Sequence, residues 1–365
     1  MRRQHFESLQ PVCPRCRVSA RRVSPLAIGH VERESTAGIV EGVLHCTSAE
    51  CQLEYPILDG APLLVPDIRR YVSDHLPTLL ARTDLSGRTE SLIGDCVGPA
   101  TYHDATRQHL STYTWDHYGD LDPDEGASDE LRPGSIVRCL ERGLAMVQGE
   151  INGPILDIGC AAGRTSFELA RRFETPVLGI DINFSLLGVA RRVLEQGTVQ
   201  YPRRRVGIVY DRRELQVDTE GSEHVDFWVC DALAMPFRDA TFGMVTALNV
   251  LDCLTAPSAM LGSVRDVMRP GSPALLSTPY DWSTNVTPLE SWIGGHSQRG
   301  PGAGASEPLL RALLTEGAHP QSVPGLEIIG EDEDVPWQTR LHDRSSVSYR
   351  AHLLAVEARP SSSAC

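Results

Sequence analysis

A chain of 365 residues is long for one compact domain and points to a large domain with a smaller one beside it. Its 41% hydrophobic and 22% charged residues are ordinary globular composition, which excludes a largely disordered or fibrous chain. No run of about 18 apolar residues exists to span a bilayer, and a net charge of -14 opposes a polyanion partner, because nucleic-acid affinity comes mainly from Lys and Arg on phosphates.

The opening MRRQHFES lacks the apolar run of an export signal, so a soluble, cytoplasmic protein with no membrane partner is expected. In that compartment ten Cys favour free thiols and metal ligands over disulfides. The first segment, residues 1–68, carries VCPRC, then CTSAEC. Cys13 and Cys16 have the two-residue separation that lets two thiolates converge on a tetrahedral zinc, and Cys46 and Cys51 complete a possible four-thiolate set, although their four intervening residues are a looser spacing. With Tyr55-Pro56-Ile57, Asp59-Gly60, Pro62 and Leu63-Leu64 following in order, this segment resembles the small zinc-ribbon-like family related to Trm112. That resemblance implies an adaptor or stabiliser of a methyltransferase, with a possible structural zinc and a possible protein partner.

Residues 69–150 read as a helical connector and cover. VSDHLPTLLARTD and SIVRCLERGLAMVQG place apolar residues at helical spacing around an acidic, turn-rich run. Within WDHYGD, Trp115, His117 and Tyr118 either cap the edge of the core or reach a site.

Residues 151–359 alternate strand-like and helical patterns, as a parallel α/β domain does, and 360–365 form a tail. LEIIGEDEDV and SYRAHLLAVEAR are two strands whose connection has no room for a crossover helix, so the last pair is antiparallel. The expected fold class is therefore α/β, a Rossmann-like sheet of seven strands with the last one reversed, plus the small N-terminal domain.

PILDIGCAAGRTSFELARRF is strand, Gly-bearing turn, then helix. The dinucleotide fingerprint fails here, because counting from Gly159 puts Ala161 and Arg164 where its second and third glycines belong. Asp157, Gly159, Ala161 and Gly163 instead resemble the first motif of class I S-adenosylmethionine-dependent methyltransferases. That resemblance implies small residues over Cys160–Gly163 beneath the cofactor, Asp181 with Ile182 at the ribose, Asp231 with Ala232 at the adenine, and Asn249 nearby. A carboxylate suits ribose because it accepts two hydrogen bonds at once.

STPYDWSTNVTPLESWIGG follows the last parallel strand at the sheet edge where open α/β folds bind ligands. Thr278-Pro279-Tyr280, Trp282, Thr287-Pro288 and Trp292-x-Gly294-Gly295, together with His117-Tyr118-Gly119 and VLDCL, resemble the methyltransferase domain of ovothiol-biosynthesis proteins over roughly residues 115–357. This implies N-methylation of a small imidazole-type substrate, a thiohistidine, although the sulfoxide synthase that precedes the domain in those proteins is replaced here by the Cys-bearing segment. The expected catalytic wall is Tyr280 and Asp281 with His117 and Tyr118 opposite; Trp282 and Trp292 orient the substrate, and Asp252 or Arg164 meets its ammonium or carboxylate. The competing reading is that both Trp merely pin a long loop. GGHSQRGPGAGASEPLL is either a segment that orders over the substrate or an ordinary loop. Two other functions compete: an RNA or protein methyltransferase, with Arg203, Arg204, Arg205, Arg212 and Arg213 on phosphate, and a catalytically idle partner subunit.

Overall fold

The computed structural model describes residues 1–79, 98–125 and 131–359. The end of the first expected connector helix, part of the acidic run and the tail lie outside them. Helices α1 (Arg3–Leu9) and α2 (Pro14–Ala20) precede strands β1 (Leu26–Ser35), β2 (Gly38–Cys46), β3 (Glu54–Leu58) and β4 (Ala61–Leu64), which pair antiparallel in sequence. Cys13 caps α2, and Pro14 occupies its first turn, where a missing N–H leaves no hydrogen bond unmade. Then come α3 (Ile68–Leu79), α4 (Tyr102–Tyr118) and α5 (Ser135–Met146).

From there strands and helices alternate: β5 (Ile155–Ile158), α6 (Arg164–Phe173), β6 (Val177–Asp181), α7 (Phe184–Gln196), β7 (Thr198–Val206), β8 (Val209–Gln216) and β9 (Val225–Cys230). The chain continues through β10 (Met244–Leu248), α8 (Pro257–Val267), β11 (Pro273–Thr278), α9 (Ser306–Leu313), β12 (Leu326–His342) and β13 (Ser345–Ala358). α7 begins on Asn183, whose side chain accepts from the Ser185 and Leu186 N–H groups, and ends on Gly197 at φ 64°.

The main sheet runs β1-β2-β3-β4-β9-β6-β5-β10-β11-β13-β12. β4 through β11 are parallel, and β13 is antiparallel to both β11 and β12. β9, β10 and β11 are buried at every residue, the continuous apolar run required of a sheet covered on both faces. The reversed final strand agrees with the expectation from the short connection. The sheet has eleven strands rather than seven, because Leu63 and Leu64 of β4 pair with Val229 and Cys230 and close the edge that β9 would otherwise expose. Chain direction switches sides between β5 and β10, so a crevice opens at the carboxyl ends of the central strands.

VLDCL follows β10, which stops at Leu248, and its Leu251–Cys253 form a 3₁₀ turn. The arginine-rich run is a hairpin, β7–β8. Three of its five arginines are engaged by carboxylates: Arg203 with Asp343 and Glu125, Arg205 with Asp343 and Asp211, Arg213 with Asp122 and Asp124. No helix among the described residues is long and apolar enough to cross a membrane.

Candidate functional site

The Gly-bearing turn between β5 and α6 sits at the switch in the sheet. Gly159 takes φ 67° and its N–H donates to Ile180 O at 2.8 Å; a Cβ there would lie 2.4 Å from Val250 Cγ2, so only glycine fits. Ala161 holds φ 46°, and its N–H donates to Asp181 Oδ2 at 2.9 Å. Gly163, at φ 84°, packs where a Cβ would strike Phe227 and Ala190. Cys160 and Ala161, within the turn, are buried.

Asp157 is enclosed below this turn. The Thr165, Ser166 and Thr246 hydroxyls donate to its carboxylate at 2.6, 2.7 and 2.7 Å, and it is 2% exposed. Expected as a cofactor contact, it is placed as an internal brace of the turn, with its pKa raised by burial against those three donors.

Asp181 ends β6 facing the crevice. Its two oxygens accept from Ala161 N–H and, at 2.7 Å, from Asn183 N–H, which leaves a lone pair on each oxygen. Burial pushes its pKa up to about 6, with the Asn183 and Ala161 N–H groups pulling the other way. Ile182 beside it is 47% exposed, an apolar face next to an acceptor. Asp231 accepts from Leu233 N–H at 2.9 Å, Ala232 is buried next to it, and Asn249, at φ 54°, accepts from the Ser277 hydroxyl at 2.9 Å. These acceptors and the small-residue turn fit S-adenosylmethionine: Asp181 would hold the ribose hydroxyls, Ile182 and Ala232 the adenine faces, and Asp231 the adenine amino group. When bound, that group supplies an electrophilic methyl on a sulfonium.

His117, Tyr118 and Arg164 do not face the loop. His117 Nδ1 accepts from Arg164 N–H at 3.3 Å, and burial, then the Arg164 charge, push its pKa down to about 3. Tyr118 donates to Ala162 O at 2.9 Å and is 1% exposed. The Arg164 guanidinium binds Asp120, Glu168 and the His117 carbonyl, so no free cation remains there for a substrate carboxylate. All three brace the turn from α4 and the α6 amino end, rather than standing opposite Tyr280, as expected of His117 and Tyr118, or at a substrate carboxylate, as expected of Arg164.

The loop after β11 is brought together as a group. Tyr280, half-buried at φ 57°, lies 6.4 Å ring to ring from Trp282, and Trp282 stacks on Trp292 at 6.1 Å and 18°. Each indole N–H is anchored, Trp282 to Ser306 Oγ at 3.3 Å and Trp292 to Thr287 O at 2.9 Å. Thr287 is fully buried and donates to Leu254 O at 2.7 Å, so the loop is pinned to the turn that carries Asp252 whether or not the indoles help. Both Trp are only half-buried, which suits a wall as well as a pin. The segment 294–310 is a 3₁₀ turn at Pro301–Gly304 followed by the start of α9.

Asp252 is 4% exposed, and its Oδ2 accepts from Asp281 N–H at 2.8 Å. Burial raises its pKa, against that N–H and the nearby Thr278 hydroxyl, and its Oδ1 meets no hydrogen-bond partner among the described residues. Asp281 is exposed and accepts from the Tyr349 hydroxyl at 3.0 Å. Four residues absent from the sequence expectation join them: Tyr113, Tyr349, His352 and Glu331. Tyr113 keeps 40% of its surface exposed, yet burial first, and then Cys253, Asp181, Asp252 and Tyr349, raise its pKa. Tyr113 therefore lies close enough to Asp181, Asp252, Cys253 and Tyr349 to feel their charges, which links the Asp181 end of the site to the Tyr280 loop.

At the N-terminus the Cys13, Cys16, Cys46 and Cys51 sulfurs lie within 4.8 Å of one another, with Cys13–Cys51 and Cys16–Cys46 each at 3.8 Å. The Cys16 and Ser48 N–H groups donate to Cys13 and Cys46 Sγ, both at 3.5 Å.

Comparison with known proteins bears on the same region. Residues 150–299 match the model of a methyltransferase domain. The chain is 29% identical to the O-methyltransferase cnsE of Penicillium expansum over 41% of its length and 46% of that protein. It is 28% identical to the ubiquinone/menaquinone biosynthesis C-methyltransferase UbiE of Cellvibrio japonicus over 40% of its length and 52% of that protein. Among solved structures, an N-methyltransferase of Haemonchus contortus, in complex with phosphomonomethylethanolamine and S-adenosylhomocysteine, aligns at 19% identity with a TM-score of 0.29, covering 38% of this chain and 28% of that one. The matched stretch thus spans about half the length of the curated relatives. The chain contains a class I S-adenosylmethionine-dependent methyltransferase domain.

Proposed function

We propose that the chain is an S-adenosylmethionine-dependent N-methyltransferase of a small imidazole-type substrate, a thiohistidine in an ovothiol-type reaction. The observation that carries this reading is the loop after β11, where Tyr280, Trp282 and Trp292 form a half-buried aromatic wall beside the unpartnered Asp252 Oδ1. Methyl transfer is an in-line displacement, so the protein has to hold a lone pair about 3 Å from the methyl and exclude water. An imidazole nitrogen presents that lone pair already. A flat ring suits the indoles, and an ammonium suits Asp252. The two curated relatives named above methylate oxygen or carbon by name, so the atom methylated is the point to test.

The experiment is methyl transfer to 5-thiohistidine and plain imidazoles, followed by S-adenosylhomocysteine release, with NMR location of the new methyl. A ring N-methyl is expected. Methylation at oxygen or carbon, or cofactor binding with no turnover on any imidazole, would overturn the substrate. Arg203, Arg205 and Arg213 of β7–β8, engaged by five carboxylates, weigh against an RNA substrate.

We also infer that residues 1–68 form a Trm112-like module with one structural zinc on Cys13, Cys16, Cys46 and Cys51, acting in cis as a stabiliser. Four thiolates about 2.3 Å from a tetrahedral zinc stand about 3.8 Å apart, the spacing of the two close sulfur pairs. The module is joined to the larger domain through β4–β9, by Arg2 N–H on Asp226 and by Val12 N–H on Pro236 O. Tyr71 of α3 also donates to Ile182 O at 2.8 Å, next to Asp181.

A further inference from the structure

One hydrogen-bonded chain in the molecule has no part in cofactor binding. It joins three elements far apart in sequence. The Tyr280 hydroxyl lies 2.5 Å from His352 Nδ1, and His352 Nε2 lies 2.7 Å from Glu331 Oε1. Tyr280 follows β11, His352 is on β13 and Glu331 is on β12. His352 is 2% exposed, whereas 29% of the Glu331 side chain reaches solvent.

The direction of each bond follows from the charges. The groups facing His352 are Tyr280 from the loop, Glu331 from β12, and Arg311 and Glu307 from α9. Burial by itself would raise the Glu331 carboxyl, but hydrogen bonds from Arg311 and His352 outweigh it and hold it below the usual carboxylate range. An ionised Glu331 only accepts, so His352 carries its proton on Nε2. Burial keeps the imidazole below its usual pKa against the pull of Glu331, so at neutral pH Nδ1 is a bare lone pair. The Tyr280 phenol then donates to Nδ1, and the remaining lone pairs on its oxygen are acceptors. Tyr280 is held in this pose at a positive φ, a backbone conformation that costs a residue other than glycine about 1 kcal/mol or more. Asp252 Oδ1, which meets no hydrogen-bond partner among the described residues, is also an acceptor.

We propose that Tyr280, His352 and Glu331 form a proton relay that accepts the proton lost by the methyl acceptor, so the acceptor presents an N–H or O–H to Tyr280. This rests on the methyltransferase reading and adds to it the polarity of the substrate and two residues. Tyr280 takes up the acceptor's proton as the acceptor's lone pair forms its bond to the methyl carbon and the donor's C–S electron pair stays on sulfur. His352 receives the phenol's proton at Nδ1, and Glu331 balances the imidazolium. The proton leaves to water at the exposed side of Glu331. Tyr280 is the catalytic residue, and His352 and Glu331 are positioning residues that act through it.

The relay is tested in two independent ways. By ¹⁵N imidazole NMR, with the His352 signals assigned through His352→Gln, the protein should show an unprotonated Nδ1 and a protonated Nε2 at pH 7. Tyr280→Phe should shift Nδ1, and Glu331→Gln should shift Nε2. A protonated Nδ1, or an Nδ1 unmoved by Tyr280→Phe, overturns the relay whatever the enzyme methylates. By kinetics with S-adenosylmethionine and 5-thiohistidine, Glu331→Gln should lower kcat by about 100-fold, with KM changed less than threefold. The acid limb of its kcat profile should move to lower pH, because the imidazolium loses its counter-charge. A wild-type kcat and an unmoved limb in a folded Glu331→Gln protein would show packing alone. If the wild-type protein turns over no imidazole, the proposed function fails and the NMR result decides the relay by itself.

Discussion

Removing the Asp181 carboxylate should weaken S-adenosylmethionine binding more than any other single change in the turn. Its two oxygens already accept from Ala161 and Asn183 N–H groups at 2.9 and 2.7 Å, which fixes the carboxylate plane and leaves its outer lone pairs facing the crevice. Two ribose hydroxyls would each donate one charge-assisted bond, worth about 1.5–3 kcal/mol. Taking the lower value for each, Asp181→Ala costs about 3 kcal/mol, or roughly 100- to 200-fold in Kd. Asp181→Asn keeps the shape and one acceptor, so about a tenfold loss is expected. Isothermal titration calorimetry reads both. The pH dependence has a definite sign. The folded pKa of about 6 lies above the ordinary carboxylate value, so the stability this group contributes to the ligand-free fold is fully present at acid pH, and it is lost as pH rises through 6. Donors on the ligand favour the ionised form, so Kd should rise as pH falls through 6 and level off above about 7. An Asp181→Ala protein that binds within threefold of wild type, or a Kd indifferent to pH between 5 and 7, would refute the ribose assignment.

Asp157→Ala should destabilise the fold rather than act on the ligand directly, since it leaves three buried hydroxyl donors without their acceptor at about 1–3 kcal/mol each; urea denaturation should show a lower midpoint, with Asp157→Asn in between. Metal analysis of the purified chain should find close to one zinc per molecule, and Cys16→Ser should lower both the zinc content and Tm; full stability with no metal would remove the zinc. A gel-shift titration with RNA at low salt should show no binding, because Arg203, Arg205 and Arg213 of the hairpin are paired with carboxylates; salt-sensitive binding abolished by Arg203→Ala and Arg213→Ala would reverse that.

Much of the fold was legible because its determinants are local. Apolar runs of strand length, the small residues from Gly159 to Gly163 and the short connection between LEIIGEDEDV and SYRAHLLAVEAR each constrain only their immediate neighbours, so their meaning survives without a structure. The cysteine spacing likewise placed two thiols side by side, and β2 and the loop after it brought the other two to them. The addition of β4 to the sheet was not legible, since an apolar run such as APLL does not name its partner strand.

Charged and aromatic residues divided along the same line. Arg164 and His117 have the right chemistry for a substrate site and lie near it in sequence, but Asp120 and Glu168 already neutralise the arginine, and burial holds the histidine neutral. Tyr280 was visible in its motif. Its partner, 72 residues further on, was not, because the pairing depends on the register that sets Thr278 opposite His352 and on β12 lying beside β13. The sequence by itself determined the elements, the turn and the aromatic loop, through periodicity and glycine stereochemistry. Which polar side chains are free to meet a ligand was decided only by the tertiary structure, because availability is what remains after every neighbour has made its hydrogen bonds.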